Sequence, residues 1–289
     1  MADLSTRSTD AREQAFANAC TQASTLLPAW KRLAEGATPI NCMGLSFPNR
    51  LGIAAGFDRT GKLGRRAGNL GFGAIELGSW NRENWPERLP IEAPKALLGT
   101  RLGVRLAATA PASPEQETGQ LIHLIERAWS TADYLTVAPD WLQQRTPSQQ
   151  LHRNLQRLQE AQQTLENQTR KSCPIVYKLR IKPGQEDFCN LVPYLACQGI
   201  DGILVSFDFG KPVTATNYRQ WRDPELQGNT CRVIETCQRH LQKTSALLTN
   251  GGVLSRQNFL DRLQAGADLV QLHNALVFEG ADIGWRLSL

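Results

Sequence analysis

After Asn41 the sequence alternates short apolar runs with longer amphipathic stretches, and no other feature constrains the fold as tightly. The apolar runs read as strands near Leu51–Ala55, Ala74–Gly78, Arg101–Ala107, Tyr134–Ala138, Ile175–Ile181, Gly202–Ser206, Ala246–Asn250 and Leu269–His273. Helical patterns follow most of them, at Thr60–Leu70, Pro114–Ser130, Ser148–Asn167, Gln185–Gln198, Thr230–Lys243 and Ser255–Ala265. Strands that alternate with helices pair in parallel through right-handed crossovers. Eight such units closing on themselves give a (β/α)8 TIM barrel. An open doubly wound sheet is the competing architecture, and periodicity alone does not exclude it. At 289 residues and 41% hydrophobic content, the chain has material for one barrel in a single domain.

The first forty residues differ from the rest. Asp10-Ala-Arg-Glu13 has capping-box spacing and predicts a helix through about Leu27. Pro28 then suits the first turn of a second short helix, Pro28 to Glu35. The expected organisation is thus a two-helix extension over residues 1–39 and a barrel over residues 40–289. Trp80 to Gly99 breaks the rhythm with three prolines and two tryptophans. It reads as a long loop after the second strand, on the C-terminal face where barrel active sites sit.

Charge and cysteines narrow the function classes. A net charge of +5 without clustered Lys and Arg among aromatics gives no nucleic-acid stripe and suggests anionic ligands at most. Seven cysteines without a CxxC pair read as reduced thiols in a cytoplasmic chain. No stretch approaches the about 18 consecutive apolar residues of a membrane span. Peripheral contact with an inner membrane through the N-terminal helices stays open.

Two blocks carry a resemblance. One is Ile40-Asn-Cys-Met-Gly-Leu-Ser-Phe47 with Asn49, Leu51-Gly-Ile-Ala-Ala-Gly-Phe-Asp58 and Leu70-Gly-Phe-Gly-Ala-Ile-Glu-Leu-Gly78. The other is Asn250-Gly-Gly-Val253 with Ala265-Gly-Ala-Asp-Leu-Val-Gln-Leu272 and Phe278-Glu-Gly280. Together they resemble the class 2, quinone-linked dihydroorotate dehydrogenases, whose N-terminal helices approach the membrane quinone.

The resemblance implies bound FMN and places it residue by residue. Ala55 and Gly56 are small enough to let the flat ring lie on the backbone, and Ser79 matches a ring-contacting hydroxyl position. Lys178 matches the strand lysine beside the flavin N1–O2 edge, where a cation stabilises reduced flavin. Ser206 matches another flavin-contacting hydroxyl. Gly228, Gly251 and Gly252 fit the phosphate end, and His273 and Asn274 occupy the last phosphate contacts.

The substrate half departs from the family. Where the family has an Asn-x-Ser-Ser-Pro-Asn-Thr-like segment with its basic serine, this chain has Tyr134-Leu-Thr-Val-Ala-Pro-Asp-Trp141. The serine and both asparagines are absent, so the proton on the substrate carbon has no base in register. The family's lysine after Asp58 is Arg59, its third-strand asparagine is Arg105, and its Thr-Asn-Thr is Ser206-Phe207-Asp208. Asp208, Asp140 and Arg59 are therefore the candidate catalytic groups of an altered pocket, with Asp208 the first choice for acid/base work. Four readings follow. One is an FMN oxidoreductase with another substrate, and one a catalytically inactive barrel that serves as a protein's binding or assembly partner. A dihydroorotate dehydrogenase with a displaced base and a flavin barrel acting on RNA rank below them. Oligomeric state is not readable from these residues.

Overall fold

The computed structural model describes residues 4–25, 38–86, 99–144, 146–184, 191–210, 214–242 and 244–288. The second helix expected at Pro28–Glu35, residues 87–98 of the long loop, and the start of the helix expected from Gln185 lie outside them.

Helix α1 (Leu4–Ser24) is followed by a hairpin of β1 (Ile40–Cys42) and β2 (Leu45–Phe47). The barrel strands then run β3 (Leu51–Asp58), β4 (Ala74–Trp80), β5 (Arg101–Leu106), β6 (Tyr134–Val137), β7 (Ile175–Ile181), β8 (Gly202–Phe207), β9 (Ala246–Asn250) and β10 (Leu269–Leu272). Between them come α2 (Pro114–Ala128), α3 (Gln149–Thr169), α4 (Leu191–Cys197), α5 (Ala215–Gln220), α6 (Pro224–Leu241) and α7 (Arg256–Gln264), with α8 (Asn274–Glu279) and α9 (Ile283–Ser288) at the end. Every neighbouring pair of barrel strands is parallel, and Val270 of β10 pairs with Leu51 of β3. That last pairing closes the barrel and removes the open-sheet alternative.

Strand residues alternate between lumen and helix layer. Inside, Ala74, Tyr134, Val176, Leu204, Leu248 and Leu269 pack on Cys42 and Phe47, so the hairpin plugs the N-terminal end. Gly103 admits the Tyr134 ring, which lies 2.4 Å from where a Cβ would stand. Outside, Ile175, Tyr177, Leu179 and Ile181 of β7 join the larger core beneath the helices. Ser113, Ser148, Asp223 and Ser255 cap α2, α3, α6 and α7, each accepting from a backbone N–H of the first turn.

Two local expectations change. Helix α1 already runs at Leu4, so Asp10 sits exposed inside it and does not cap it. The stretch read as a helix from Thr60 is a loop followed by a 3-10 helix, Gly64–Leu70. The buried Asp58 carboxylate organises that loop by accepting from the N–H groups of Thr60, Gly61, Leu63 and Gly64, at 2.7–3.2 Å. Asp58→Ala orphans four backbone donors at once. It is expected to lower stability by about 3 kcal/mol or more, read as a fall in the urea midpoint without a change of slope.

Helix α1 lies against the C-terminal mouth of the barrel. Phe16 meets Phe57 edge-on with ring centres 5.6 Å apart, and Asn69 Nδ2 donates to the Ala23 carbonyl at 2.7 Å. Among the described residues, no helix is long and apolar enough to cross a membrane.

Candidate functional site

Above the plug, the lumen turns polar. Glu76 on β4 is buried and accepts from Thr136 Oγ1 on β6 (2.9 Å) and Gln271 Nε2 on β10 (2.6 Å). Asn250 Nδ2 on β9 donates to Gln271 Oε1 at 3.3 Å. Gly52 makes room for this network, because a Cβ there would stand 3.3 Å from the Gln271 side chain.

One layer higher, two cations face the mouth. Lys178 on β7 is 9% exposed, and among the described residues its ammonium donates to no acceptor; the backbone carbonyl accepts from Gln143 Nε2. Arg105 on β5 has a buried Nε with no partner among the described residues. Burial, reinforced by the like charge of Arg105, pushes Lys178 down to about 7 against the pull of Glu76 and Asp208. Burial lowers Arg105 as well. Neither carboxylate pairs with these cations within 4 Å, so this layer is a natural seat for an electron-rich or anionic group. Ser206 on β8 is buried beside it and lies in register with Arg180.

The other candidates surround that layer unevenly. Asp208 follows β8, is exposed, and accepts from the Gly210 N–H at 2.9 Å. It is felt by both Lys178 and Arg105. Asp140 pairs with Arg180 at 2.9 Å in the open, and Arg59 is exposed, its carbonyl accepting from Trp80 Nε1. Of the three candidate catalytic groups, Asp208 alone adjoins the buried cations. Ser79 is half-buried after β4's Gly78.

Ala55 and Gly56 lie in β3, and Gly56 has φ +102°. Its open face meets the imidazole of His273, whose Nε2 is 3.3 Å from a Cβ placed there. His273 begins α8 and shares a 2.7 Å hydrogen bond between Nδ1 and Asn274 Oδ1. Burial lowers its pKa, which favours the neutral ring.

Gly251 and Gly252 follow β9 with φ +95° and +74°. A Cβ on Gly251 would stand 2.1 Å from the Phe207 carbonyl oxygen, and one on Gly252 would stand 2.2 Å from the Trp221 ring. Their amides join no described backbone hydrogen bond. Gly228 needs correction. It lies in the second turn of α6, where its N–H belongs to the helical ladder, and it lines an outer groove of about 850 Å³ between α6 and α7. It is no part of a late-loop anion cradle.

Sequence reasoning passed over four participants. Arg12 of α1 donates from Nη1 to the Gly56 carbonyl at 3.2 Å, which carries the N-terminal helix into the site. Glu76 was readable as a lone charge centred in Ala74-Ile-Glu-Leu-Gly78, an otherwise apolar strand. Gln227 and Arg262 gave no signal, since each sits at a polar position of an amphipathic helix.

No family model matches the chain. Curated relatives are similar across most of its length. A dihydroorotate dehydrogenase (quinone) from Xylella fastidiosa is 26% identical, covering 85% of this chain and 81% of that protein. One from Ralstonia nicotianae is 27% identical, covering 84% and 82%. Among solved structures, a ligand-free DHODH from Eimeria tenella superposes with a TM-score of 0.70 at 16% identity, covering 96% of this chain and 92% of that one. The same enzyme in complex with ferulenol gives 0.66 at 17% identity.

Proposed function

We propose that this chain, a relative of the quinone-type dihydroorotate dehydrogenases across 85% of its length, is an FMN-binding oxidoreductase acting on a substrate other than dihydroorotate. The observation that carries the reading is Lys178, 9% exposed at the barrel mouth, whose ammonium meets no acceptor among the described residues. An ammonium so largely withdrawn from water is costly without a partner, and the electron-rich N1–O2 edge of a flavin supplies one.

The rest of the donor set fits FMN. Ser206 stands beside the lysine as a buried hydroxyl. At the far end the Gly251 and Gly252 amides are available to a phosphate, in backbone that only glycine adopts easily. FMN, when bound, accepts the hydride equivalent. This chain's part is to hold the flavin, to keep positive charge beside it, and to limit access through α1, whose Arg12 anchors on Gly56.

The altered substrate follows from the missing base. Residues Tyr134 to Trp141 contain no serine; the Thr136 hydroxyl is committed to Glu76, and Asp140 to Arg180. Among the described residues Asp208 is the candidate carboxylate left at the mouth, and with Arg59 and Arg105 it gives the pocket a charge pattern unlike a neutral asparagine-lined one. An inactive barrel serving as a binding partner is the second reading. It is favoured by the residues that press on the glycines, His273 on Gly56 and Trp221 on Gly252. Peripheral membrane contact through the N-terminal helices remains part of either reading.

The test is the visible spectrum of the purified protein before and after adding FMN. Uptake approaching one flavin per chain is expected, with no bleaching when dihydroorotate is added anaerobically. A colourless protein that takes up no FMN refutes the reading in favour of the inactive barrel. Bleaching by dihydroorotate refutes the altered substrate.

A further inference from the structure

Behind the Gly251–Gly252 loop lies a cation that the flavin reading does not use. Arg262 on α7 has 0% of its surface exposed, and its Nε and Nη1 have no partner among the described residues. Its Nη2 donates to Gln227 Oε1 at 2.8 Å, and its guanidinium carbon lies 5.5 Å from the Phe207 ring centre. Its sequence neighbour Asp261 accepts from Gln257 instead, and no carboxylate pairs with the guanidinium within 4 Å among the described residues. The charge is therefore buried without a counterion, an arrangement that is expensive unless something else answers it.

Both residues that Arg262 touches bear on the loop. Gln227 Nε2 donates to the Gly252 carbonyl at 2.6 Å and to the Trp221 carbonyl at 2.7 Å. Phe207 sets its own carbonyl oxygen against Gly251. Because a peptide plane carries C=O and N–H on opposite sides, tethering the Gly252 carbonyl to Gln227 turns the Val253 N–H away from α6. Accepting from a cation also polarises the Gln227 amide and strengthens that tether. In a poorly screened interior, the positive charge is felt through to the far side of the loop.

We infer that Arg262, acting through Gln227, is a positioning residue that makes the Gly251–Gly252 loop selective for a phosphate dianion over a neutral hydroxyl terminus. The identity of the rest of the ligand rests on the FMN reading; the phosphate preference does not.

The experiment compares FMN, riboflavin and inorganic phosphate on the full chain stripped of flavin. Flavin affinity is read by fluorescence quenching. Phosphate is read as a rise in melting temperature over chloride at matched ionic strength. The parent is expected to prefer FMN strongly over riboflavin. Arg262→Met should weaken FMN at least tenfold, leave riboflavin within about twofold, and abolish the phosphate-dependent rise. Gln227→Leu should move the same way by less, and Arg262→Lys should recover most of the preference. Should Arg262→Met not fold, the Gln227→Leu and Arg262→Lys pair decides. Equal weakening of both flavins, or unchanged FMN affinity, overturns the inference by leaving Arg262 a merely structural residue. A parent stabilised by phosphate that takes neither flavin sinks the FMN reading and keeps this one; a parent indifferent to all three sinks both.

Discussion

Gly251→Asp is expected to leave the protein without flavin. The position has φ +95°, a conformation that costs an ordinary residue on the order of 1–3 kcal/mol. A Cβ would also stand 2.1 Å from the Phe207 carbonyl oxygen, which is backbone at the end of β8 and cannot swing aside. Overpacking of that kind adds about 1–3 kcal/mol. The new carboxylate also puts a negative charge on the loop whose amides would hold the phosphate, and two like charges in a poorly solvated loop exclude one another. Gly251→Ala separates these effects, since it keeps the strain and the overlap but adds no charge. The alanine variant should melt lower than the parent and bind FMN more weakly, while the aspartate variant should bind none. Visible absorbance per chain, measured alongside the melting temperature, checks both. Full flavin content in Gly251→Asp would mean that the phosphate sits elsewhere.

How much of this was legible in the sequence depends on whether a signal was local. The strands Ile175–Ile181 and Ala246–Asn250 have the bounds that their apolar runs predict, because strands of a parallel sheet covered by helices are largely hydrophobic; Lys178 and the exposed Arg180 interrupt the first run without ending it. Helix α6 starts at Pro224, six residues before the expected Thr230. The start was written in Asp223-Pro224, a cap followed by a first-turn proline, which the apolar periodicity alone overlooks. The expected helix from Thr60 failed for a different reason. Asp58, Gly61 and Gly64 give the backbone a better partner than its own carbonyls, and that competition is invisible to periodicity.

The site divides in the same way. Lys178 was marked by the resemblance, because Ile175-Val-Tyr-Lys178 matches the family's strand lysine; the strand pattern alone reads such a lysine as solvated at the rim. Placing Gly228 with the late-loop glycines was an error of residue type over context, since a glycine in a helix has no free amide to offer. Arg262 and Gln227 come together only because α7 crosses α6 at that height, a tertiary fact with no trace in either helix alone. The contact of Arg12 with Gly56 spans 44 residues and is equally unreadable from spacing.

In the flavin-free protein, Lys178→Met should raise stability, and the gain should depend on pH. Burial beside Arg105 lowers the lysine from 10.5 to about 7, while Glu76 and Asp208 oppose the shift and Arg180 adds to it. Below about pH 7 the lysine is protonated in both folded and unfolded chains, so the folded state carries the whole cost of a buried charge. Between about 7 and 10.5 the unfolded chain binds the extra proton, so stability rises with pH and the cost disappears. Converted, the difference corresponds to about 5 kcal/mol at most. Methionine fills similar space without charge. The variant should therefore exceed the parent by several kcal/mol in urea unfolding at about pH 6 and by little at about pH 10. Adding FMN should erase the parent's deficit, because the flavin edge supplies the missing acceptor. In the flavin-loaded protein the same substitution should lower the midpoint potential, since reduced flavin loses the cation beside its negative charge. A stability gap that stays constant from pH 6 to 10 would show that the lysine reaches water and is not held at the mouth. An unmoved potential would show that the ammonium points away from the flavin.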